Sequence, residues 1–248
     1  MGKNKLAKFG EMERFENVIQ VPFKTLQQEN FYLKGKWAAD FFKNLNPVIL
    51  ELGCGKGEYT VELAEKNPSF NYIGVDIKGA RMYTGAKQAL EKGLKNVAFL
   101  RTNIEITDRF FTGNEIAEIW LTFPDPQMKK TRKRLTSTLF LNLYKHFLKT
   151  DGIVHLKTDS NFQFTYTSTL VHLNGFEILA ETKDLYNSEI ITETLQIKTF
   201  YEKQWLSRGI KIKYIAFKLN NNEFTEPDIE IEKDEYRSFG RSAKDINA

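Results

Sequence analysis

Short apolar runs of strand length alternate with stretches of helical spacing from about residue 47 onward. The apolar runs are Val48–Leu52, Asn71–Val75, Val97–Arg101, Ile116–Leu121 and Ile153–Lys157. Apolar residues recur three and four positions apart in Glu58–Lys66, Ala80–Lys92, Leu139–Leu148 and Phe162–Leu173. Because strands that helices cover on both faces lack polar alternation, this order predicts a parallel sheet with helices on each side.

Two more strands and one helix complete the predicted domain. Phe176–Ala180 and Ile212–Leu219 have the composition of strands, and they bracket a helix near Thr199–Arg208. The expected fold is therefore α/β and Rossmann-like, with a doubly wound, mostly parallel sheet of seven strands. We expect this domain to occupy residues 44–219.

The two ends of the chain differ from the predicted domain. Residues 1–43 form an arm that mixes lysines with the aromatic residues Phe31, Tyr32 and Trp37. Residues 220–248 are acidic, with most of the carboxylates between Glu223 and Glu235. A segment of this composition is expected to be solvated and flexible.

Composition narrows the class of protein. The chain of 248 residues is 41% hydrophobic and contains no run of eighteen apolar residues, so we expect one sizeable domain and no membrane span. The basic N-terminus is not followed by an apolar stretch of the secretory type. The single cysteine, Cys54, fits a reducing cytoplasm, and with His146, His155 and His172 it lacks metal-ligand spacing. A net charge of +4 permits a nucleic-acid partner.

A glycine-rich turn follows the first predicted strand of the domain. The segment reads Glu51-Leu52-Gly53-Cys54-Gly55-Lys56-Gly57. A dinucleotide-binding turn needs a glycine where Glu58 stands, and a phosphate-binding loop needs Gly-Lys-Ser/Thr. Neither pattern is present. What remains is the E-x-G-x-G-x-G turn of S-adenosylmethionine-dependent methyltransferases, in which Cys54 fills the turn.

Polar residues also follow the next two predicted strands. Asp76 closes the second strand, where a carboxylate can accept both ribose hydroxyls, and Asn103 follows the third, where an amide can meet an adenine edge. Ligands of open α/β sheets bind at the carboxyl ends of the strands. We therefore predict a cofactor site there, although a single strand-end aspartate more often caps a helix or a turn.

The segment Thr122-Phe123-Pro124-Asp125-Pro126 holds an acid between two prolines at the end of the fourth predicted strand. Because proline fixes φ, we expect the Asp125 carboxylate to be held in place. Five cations follow within Lys129–Arg134, namely Lys129, Lys130, Arg132, Lys133 and Arg134. Clustered cations contact phosphates, so the segment indicates chemistry on a nucleic acid. The alternatives are an ordinary turn and a solvated charged surface.

With these residues, the chain resembles the TrmB-type tRNA (guanine-N7)-methyltransferases from about Gly35 to Leu219. The resemblance rests on the glycine turn and on Phe-Pro-Asp-Pro with downstream cations. It also rests on His155-x-x-Thr158-Asp159 and on Thr199-x-Tyr201-Glu202 followed by Gly209. Other methyltransferases share the glycine turn but not the whole set.

The resemblance implies transfer of a methyl group from S-adenosylmethionine to N7 of a guanosine in the tRNA variable loop. It implies cofactor contacts at Glu51, Gly53, Gly55, Asp76, Asn103 and Asp125. It also makes Asp125 the catalytic residue, where cofactor and base meet. It implies tRNA contacts at Lys129, Asp159, Thr199, Phe200, Tyr201 and Glu202, with phosphates near Lys130, Arg132, Lys133 and Arg134. The oligomeric state, monomer or homodimer, stays open.

The chain departs from the resemblance in two respects. Gln127 stands where many relatives carry Trp, and the basic segment is shorter than usual. Asp76 and Asn103 replace Glu and Asp, which conserves the chemistry. The first departure leaves the docking of tRNA open.

The chemistry of guanine N7 favours a particular role for Asp125. N7 is an acceptor with a lone pair, so no proton has to leave before methyl transfer, and the product purine is cationic. We expect Asp125 to orient the guanine and to stabilise this charge.

Some of these roles and the function itself have alternatives. Asp159 could cap the helix that starts near Phe162 instead of contacting RNA, and Glu202 could be a surface residue. The competing functions are another RNA-base methyltransferase and a non-catalytic cofactor- or RNA-binding protein. We also hypothesise that the N-terminal arm folds over the cofactor or the tRNA.

Overall fold

One mixed sheet forms the centre of the protein. The computed structural model describes residues 3–220 and 223–237, and within them eight strands join in the order β1-β4-β3-β2-β5-β6-β8-β7. The strands are β1 (Val18–Gln20), β2 (Val48–Leu52), β3 (Asn71–Val75), β4 (Val97–Arg101), β5 (Ile116–Thr122), β6 (Leu148–Thr158), β7 (Ile178–Thr182) and β8 (Lys213–Lys218). The neighbours among β1 to β6 pair in parallel, whereas β8 is antiparallel to both β6 and β7. The predicted α/β, mostly parallel fold is confirmed.

Helices cover both faces of this sheet, as expected. They are α1 (Lys3–Met12), α2 (Phe23–Gln28), α3 (Glu58–Lys66), α4 (Gly79–Glu91), α5 (Thr138–Tyr144), α6 (Asn161–Leu173) and α7 (Phe200–Ser207). Successive residues of a strand point to opposite faces. Ile49 accordingly belongs to the core cluster beneath α3 and α4, and Leu50 to the cluster beneath α5 and α6.

The order of the strands reverses between β2 and β5. From β2 the chain builds β3 and β4 on one side and then returns to place β5 and β6 on the other. The carboxyl ends of β2 and β5 therefore border a crevice, which is where open α/β sheets bind ligands.

The sheet has one strand more than the seven expected, because the N-terminal arm contributes β1. Val18, Ile19 and Gln20 pair in parallel with Phe99–Arg101 of β4. The Arg101 side chain also donates to Oε1 of Gln20 at 2.9 Å. A strand of three residues has too short an apolar pattern to be detected from the sequence alone.

The aromatic residues of the arm mostly pack inward. Trp37 is fully buried, and its indole N–H donates to the carbonyl oxygen of Phe110 at 3.0 Å. Phe31 packs edge-on against Phe110 with the ring centroids 4.9 Å apart, whereas Tyr32 remains exposed. Phe31 and Trp37 therefore extend the core of the domain.

One predicted helix ends earlier than expected. The expected helix Leu139–Leu148 is α5, which stops at Tyr144, and β6 already begins at Leu148. Phe147 and Leu148 keep the apolar spacing of a helix, but Leu148 pairs with Ile116 of β5. Phe147 is buried just before β6 and Leu148 within it, so both positions are apolar although neither is helical.

The acidic segment after β8 also differs from the expected solvated tail. Its described part, residues 223–237, lies against the domain, and Asp234 is only 6% exposed. Carboxylates of this segment accept hydrogen bonds from the domain, which explains how an acidic segment can be ordered. Residues 238–248 lie outside the described residues.

No helix in the described part of the chain is both long and apolar enough to cross a membrane.

Candidate active site

A cavity of about 700 Å³ lies at the carboxyl ends of β2, β3 and β5. Glu51, the glycine turn and Asp76 contribute to its wall, as do Asp125 and the start of α7 at Thr199 and Tyr201. These residues are up to 150 positions apart in the sequence. The cavity thus brings together predicted cofactor residues and the predicted catalytic residue.

The glycine turn needs its glycines for two reasons. Gly53, Gly55 and Gly57 have φ values of 82°, 57° and 74°, a region that side chains with a Cβ rarely adopt. At Gly57 a Cβ would also come within 2.5 Å of the Phe99 ring. The turn can therefore pack against β4 and α4 while its backbone borders the cavity.

Glu51 lies at the base of the cavity and is 3% exposed. Its two carboxylate oxygens accept hydrogen bonds from the hydroxyls of Thr60 on α3 and Thr122 at the end of β5. Burial raises the pKa of Glu51 from 4.5 to about 7, although these hydrogen bonds act in the opposite direction. The side chain is thus fixed in position, and a nearby cation would favour its ionised form.

Asp76 is half-buried beside the glycine turn. Its Oδ2 accepts from the backbone N–H of Gly55 at 3.0 Å, and its Oδ1 accepts from the N–H of Lys78 at 2.7 Å. Each carboxylate oxygen has a second lone pair that can accept a ligand hydroxyl. Asn103, in contrast, is exposed and does not border the cavity. Its predicted cofactor contact stays a prediction.

The turn around Asp125 is restrained by more than its prolines. Phe123 and Gln127 both have positive φ, at 52° and 46°, which is uncommon for such residues and concentrates at functional sites. The Phe123 N–H donates to the carbonyl oxygen of Lys157 at 2.8 Å, and the Gln127 N–H donates to Oδ1 of Asp125 at 3.0 Å. The Asp125 carboxylate is exposed, borders the cavity and is held by its own turn.

The predicted phosphate contacts separate into two groups. Lys129, Lys130 and Arg132 are exposed, as is Lys133, which pairs with Glu105 at 3.0 Å. Arg134 departs from the expectation because it is only 7% exposed.

The Arg134 guanidinium lies over the rings of Phe162 and Tyr166 and donates to the carbonyl oxygens of Gln127 and Met128. The Arg134 guanidinium therefore stabilises the Asp125 turn from the protein interior and does not face solvent.

The Thr199–Glu202 segment also has members with different surroundings. Phe200 and Tyr201 are exposed at 48% and 42%, and Thr199 caps α7 by accepting from the N–H of Glu202. Glu202 itself is fully buried and forms an ion pair with Lys157 at 2.9 Å. It is neither the surface residue of one alternative nor accessible to RNA in this arrangement.

Asp159 is likewise buried, at 1% exposure. Its Oδ2 accepts from the hydroxyl of Tyr236, and its backbone carbonyl accepts from Lys213. Ser160, not Asp159, caps α6 by accepting from the N–H of Gln163 at 2.9 Å. The cap expected as the alternative role of Asp159 is therefore one residue further on.

Several site residues have no signal in the sequence pattern. Thr60 and Thr122 hold Glu51, Lys157 holds Glu202, and Tyr236 borders the cavity from the C-terminal segment. Thr122 was adjacent to the Phe-Pro-Asp-Pro segment, which is the only hint. The other three become recognisable only when the fold brings distant segments together.

His155 and Cys54 lack the surroundings of catalytic residues. His155 stacks on Trp120 with ring centroids 4.0 Å apart, and its ring nitrogens hydrogen-bond Tyr214 and Glu118. Cys54 is 7% exposed, and burial raises the pKa of its thiol well above the usual value. Within residues 3–220 and 223–237, no group of three or more His, Cys, Asp or Glu side chains could hold a metal ion.

A family model described as "Putative methyltransferase" matches residues 45–215, more than half of the chain. The tRNA (guanine-N(7)-)-methyltransferase of Bacteroides fragilis strain YCH46 is 58% identical over 245 residues, which cover 98% of this chain and 97% of that protein. The tRNA (guanine-N(7)-)-methyltransferase of Porphyromonas gingivalis strain W83 is 57% identical over 94% of this chain and 98% of its own.

Solved structures resemble the fold at much lower identity. The 30S ribosomal A1408 methyltransferase from an uncultured bacterium superposes with a TM-score of 0.56 at 13% identity, covering 82% of this chain and 96% of that one. At this identity the likeness concerns the fold alone.

Proposed function

The chain belongs to the methyltransferase family whose model matches residues 45–215, and from that premise we propose that it is a tRNA (guanine-N7-)-methyltransferase. The observation that carries the proposal is identity of 57–58% to enzymes of that name over 94% or more of the chain. We further propose that the acceptor is a guanosine of the tRNA variable loop. A tRNA acceptor is compatible with the cytoplasmic location that the single cysteine predicts.

The cavity fits S-adenosylmethionine as the methyl donor. Its volume of about 700 Å³ is in the range of cofactor sites, and its wall combines a glycine turn with two carboxylates. Asp76 would accept the ribose hydroxyls, and Glu51 would accept from the ammonium group. When bound, this cofactor supplies an electrophilic methyl group on a sulfonium sulfur. Asn103 would reach the adenine edge only if its loop moved toward the cavity.

Asp125 is the residue that we assign to the acceptor. The guanine N7 lone pair needs no general base, so the protein has to align the base and stabilise the positive charge of the product. Asp125 presents its carboxylate to the cavity on a turn fixed by Phe123 and Gln127. A carboxylate can accept from guanine N–H groups and lies close to the developing charge. In this role Asp125 removes no proton.

The function is tested by incubating the protein with unmodified tRNA and labelled S-adenosylmethionine and identifying the methylated nucleoside. We expect 7-methylguanosine from the wild type. Asp125→Asn should lower turnover by about 100-fold or more, because removal of one electrostatic contact to a developing charge has such an effect. Cofactor affinity and melting temperature should change little.

Asp40→Asn is a matched control, since Asp40 is exposed on the N-terminal arm and borders no part of the cavity. It should leave turnover unchanged. Near-normal turnover of Asp125→Asn would remove Asp125 from the mechanism while leaving the reaction intact. Methyladenosine as the product would overturn the acceptor, and cofactor binding without transfer to any tRNA would favour a binding protein.

A further inference from the structure

Two carboxylates of the C-terminal segment, residues 223–237, anchor it to the domain. The first is Glu226, whose Oε2 accepts from the backbone N–H and the hydroxyl of Thr138 at 3.2 and 2.7 Å. Its other oxygen accepts from the Tyr166 hydroxyl. These contacts join the segment to the first turn of α5 and the middle of α6.

The second anchor is Asp234 at the N-terminus of α6. It is 6% exposed, and it accepts from the hydroxyl of Ser160 and from the N–H of Phe162 at 3.1 Å. A carboxylate at a helix N-terminus satisfies backbone N–H groups and interacts favourably with the helix dipole. The chain is therefore fixed in position two residues before Tyr236.

Tyr236 is thereby placed at the cavity. It borders the same cavity as Glu51 and Asp125, and its hydroxyl donates to Oδ2 of Asp159 at 2.8 Å. Its ring packs edge-on against Trp205 of α7, with the centroids 5.4 Å apart. Two aromatic residues from separate segments thus form a continuous part of the wall.

This part of the wall differs from the part that β2 and β3 provide. The ends of β2 and β3 contribute carboxylates and glycine backbone, whereas α7 and the C-terminal segment contribute Tyr201, Trp205 and Tyr236. A base that leaves its stack in RNA loses stacking energy, and aromatic side chains replace it. These aromatic residues border the same cavity as Asp125, and they match a purine better than they match a methionine chain. The cofactor's own purine, its adenine, is expected on the other side of the cavity, beyond Asp76 at the ends of β3 and β4.

We propose that Tyr236 is an acceptor-binding residue of this site: its ring receives the guanine, and its hydroxyl holds the Asp159 carboxylate in place. The proposal rests on the function stated above and adds to it. The C-terminal segment, which composition alone describes as an acidic tail, would then complete the acceptor pocket.

The test compares Tyr236→Leu and Tyr236→Phe with the wild type in steady-state methylation of unmodified tRNA. Tyr236→Leu keeps apolar bulk but removes the aromatic face, so the KM for tRNA should rise about tenfold or more, the range expected for loss of stacking on one base. Tyr236→Phe keeps the face and loses the hydroxyl that donates to Asp159, so its KM should rise less. The dissociation constant for S-adenosylmethionine should stay within about twofold in both, because the adenine of the cofactor is expected beyond Asp76, at the ends of β3 and β4.

Ile229→Ala is the control in the same segment, since Ile229 is 43% exposed and does not border the cavity. It should behave as wild type. An unchanged KM for tRNA in Tyr236→Leu, or an equal loss of cofactor affinity, would overturn the proposal. If the wild type methylates no tRNA guanosine, the proposed function fails instead, so the two failures are distinguishable.

Hydrogen exchange of the wild-type protein gives a second test that needs no variant. Unmodified tRNA should slow amide exchange in residues 230–237 more than S-adenosylhomocysteine does. Equal protection by both, or none with tRNA, would also overturn the proposal even if Tyr236→Leu did not fold.

Discussion

Glu51 illustrates how the surroundings of one residue fix both its position and its charge. It is buried at the end of β2, and the hydroxyls of Thr60 and Thr122 are its hydrogen-bond donors. Neutral donors stabilise a carboxylate less than a cation would, so desolvation prevails and the pKa rises to about 7. The free protein therefore holds a carboxyl group that is half protonated near neutral pH.

This pKa predicts how stability depends on pH. The Glu51 carboxyl loses its proton near pH 4.5 in the unfolded chain but near pH 7 in the folded protein. Between these values the folded state binds more protons, so its contribution to the free energy of unfolding falls as pH rises and then levels off. Glu51→Gln should remove this contribution. Relative to wild type, the variant should gain on the order of 2 kcal/mol between pH 5 and pH 8 in urea denaturation.

Glu230→Gln is the corresponding control, because Glu230 is exposed on the C-terminal segment. Its stability relative to wild type should be the same at both pH values. A constant difference between Glu51→Gln and wild type from pH 5 to pH 8 would contradict the raised pKa.

At this scale the sequence indicated which polar residues lie together at the strand ends but not their hydrogen-bond partners. Glu51, Asp76 and Asp125 border one cavity, as the positions after strands indicated. The burial of Arg134, Asp159 and Glu202 could not be predicted. Each depends on partners at least six residues away in the sequence, and a charged residue that the fold pairs and buries has the same local pattern as an exposed one.

The position of α7 depends on one buried charge beneath it. Lys157 of β6 is fully buried and donates to the carbonyl oxygens of Leu195 and Ile197 as well as to Glu202. Burial lowers the pKa of Lys157 and raises that of Glu202, in each case against the effect of the partner charge. The pair fastens the start of α7, and with it Thr199 and Tyr201, to the strand that also holds the Asp125 turn.

Breaking this pair from one side should be costly. Lys157→Met leaves the Glu202 carboxylate buried without its cation, which typically destabilises a protein by about 3–5 kcal/mol. The double variant Lys157→Met/Glu202→Gln should be more stable than Lys157→Met alone, because no unpaired charge remains. Urea denaturation at pH 8 of both single variants and the double variant measures the coupling.

The exposed pair Lys95 and Glu16 provides the comparison, with side chains 82% and 71% exposed. The same cycle there should give a coupling of less than about 1 kcal/mol. A Lys157→Met variant as stable as Lys95→Met would show that the buried pair does not anchor α7.

At the level of elements, strong apolar runs were predictable and weak ones were not. β2, β3, β4 and α3 have the bounds that the apolar pattern predicts, because buried parallel strands are apolar throughout. The sequence did not predict β1, because a strand of three residues is too short to show an alternation of apolar and polar positions. The apolar spacing in Leu139–Leu148 fits a helix and a buried strand equally well, and only the pairing of Leu148 with Ile116 decides between them.

For the whole molecule, local charge matters more than the net charge of +4. Lys129, Lys130 and Arg132 are exposed between two residues that border the cavity, Asp125 and Leu135. Buried Arg134 ties this stretch back to the Asp125 turn. If the guanosine of a tRNA lies at Asp125, we therefore expect its backbone near these three cations, where phosphate contacts would fix the register of the RNA.

Neutralising these cations should weaken tRNA binding in a salt-dependent way. Each phosphate contact releases condensed counterions, so log K for tRNA falls as the salt concentration rises. In the triple variant Lys129→Gln/Lys130→Gln/Arg132→Gln, the slope of log K against log salt concentration should become less negative by about 2. Binding measured by filter retention or anisotropy between about 50 and 200 mM salt covers the range in which the effect is large. Because these side chains do not border the cavity, the affinity for S-adenosylmethionine should not change.

A second triple variant with the same change in charge separates local from global electrostatics. The matched variant changes Lys66, Lys92 and Lys95. They lie at the ends of α3 and α4 and before β4, near the amino ends of the strands, whereas the cavity lies at the carboxyl ends. Replacing them with Gln lowers the net charge equally, so an effect of net charge alone would reduce the slope in both variants. A local interface reduces it only in the first, since exposed charges further apart than about 10 Å are largely screened at these salt concentrations. Equal slopes in the two variants would therefore show that Lys129, Lys130 and Arg132 make no local contact with the tRNA backbone.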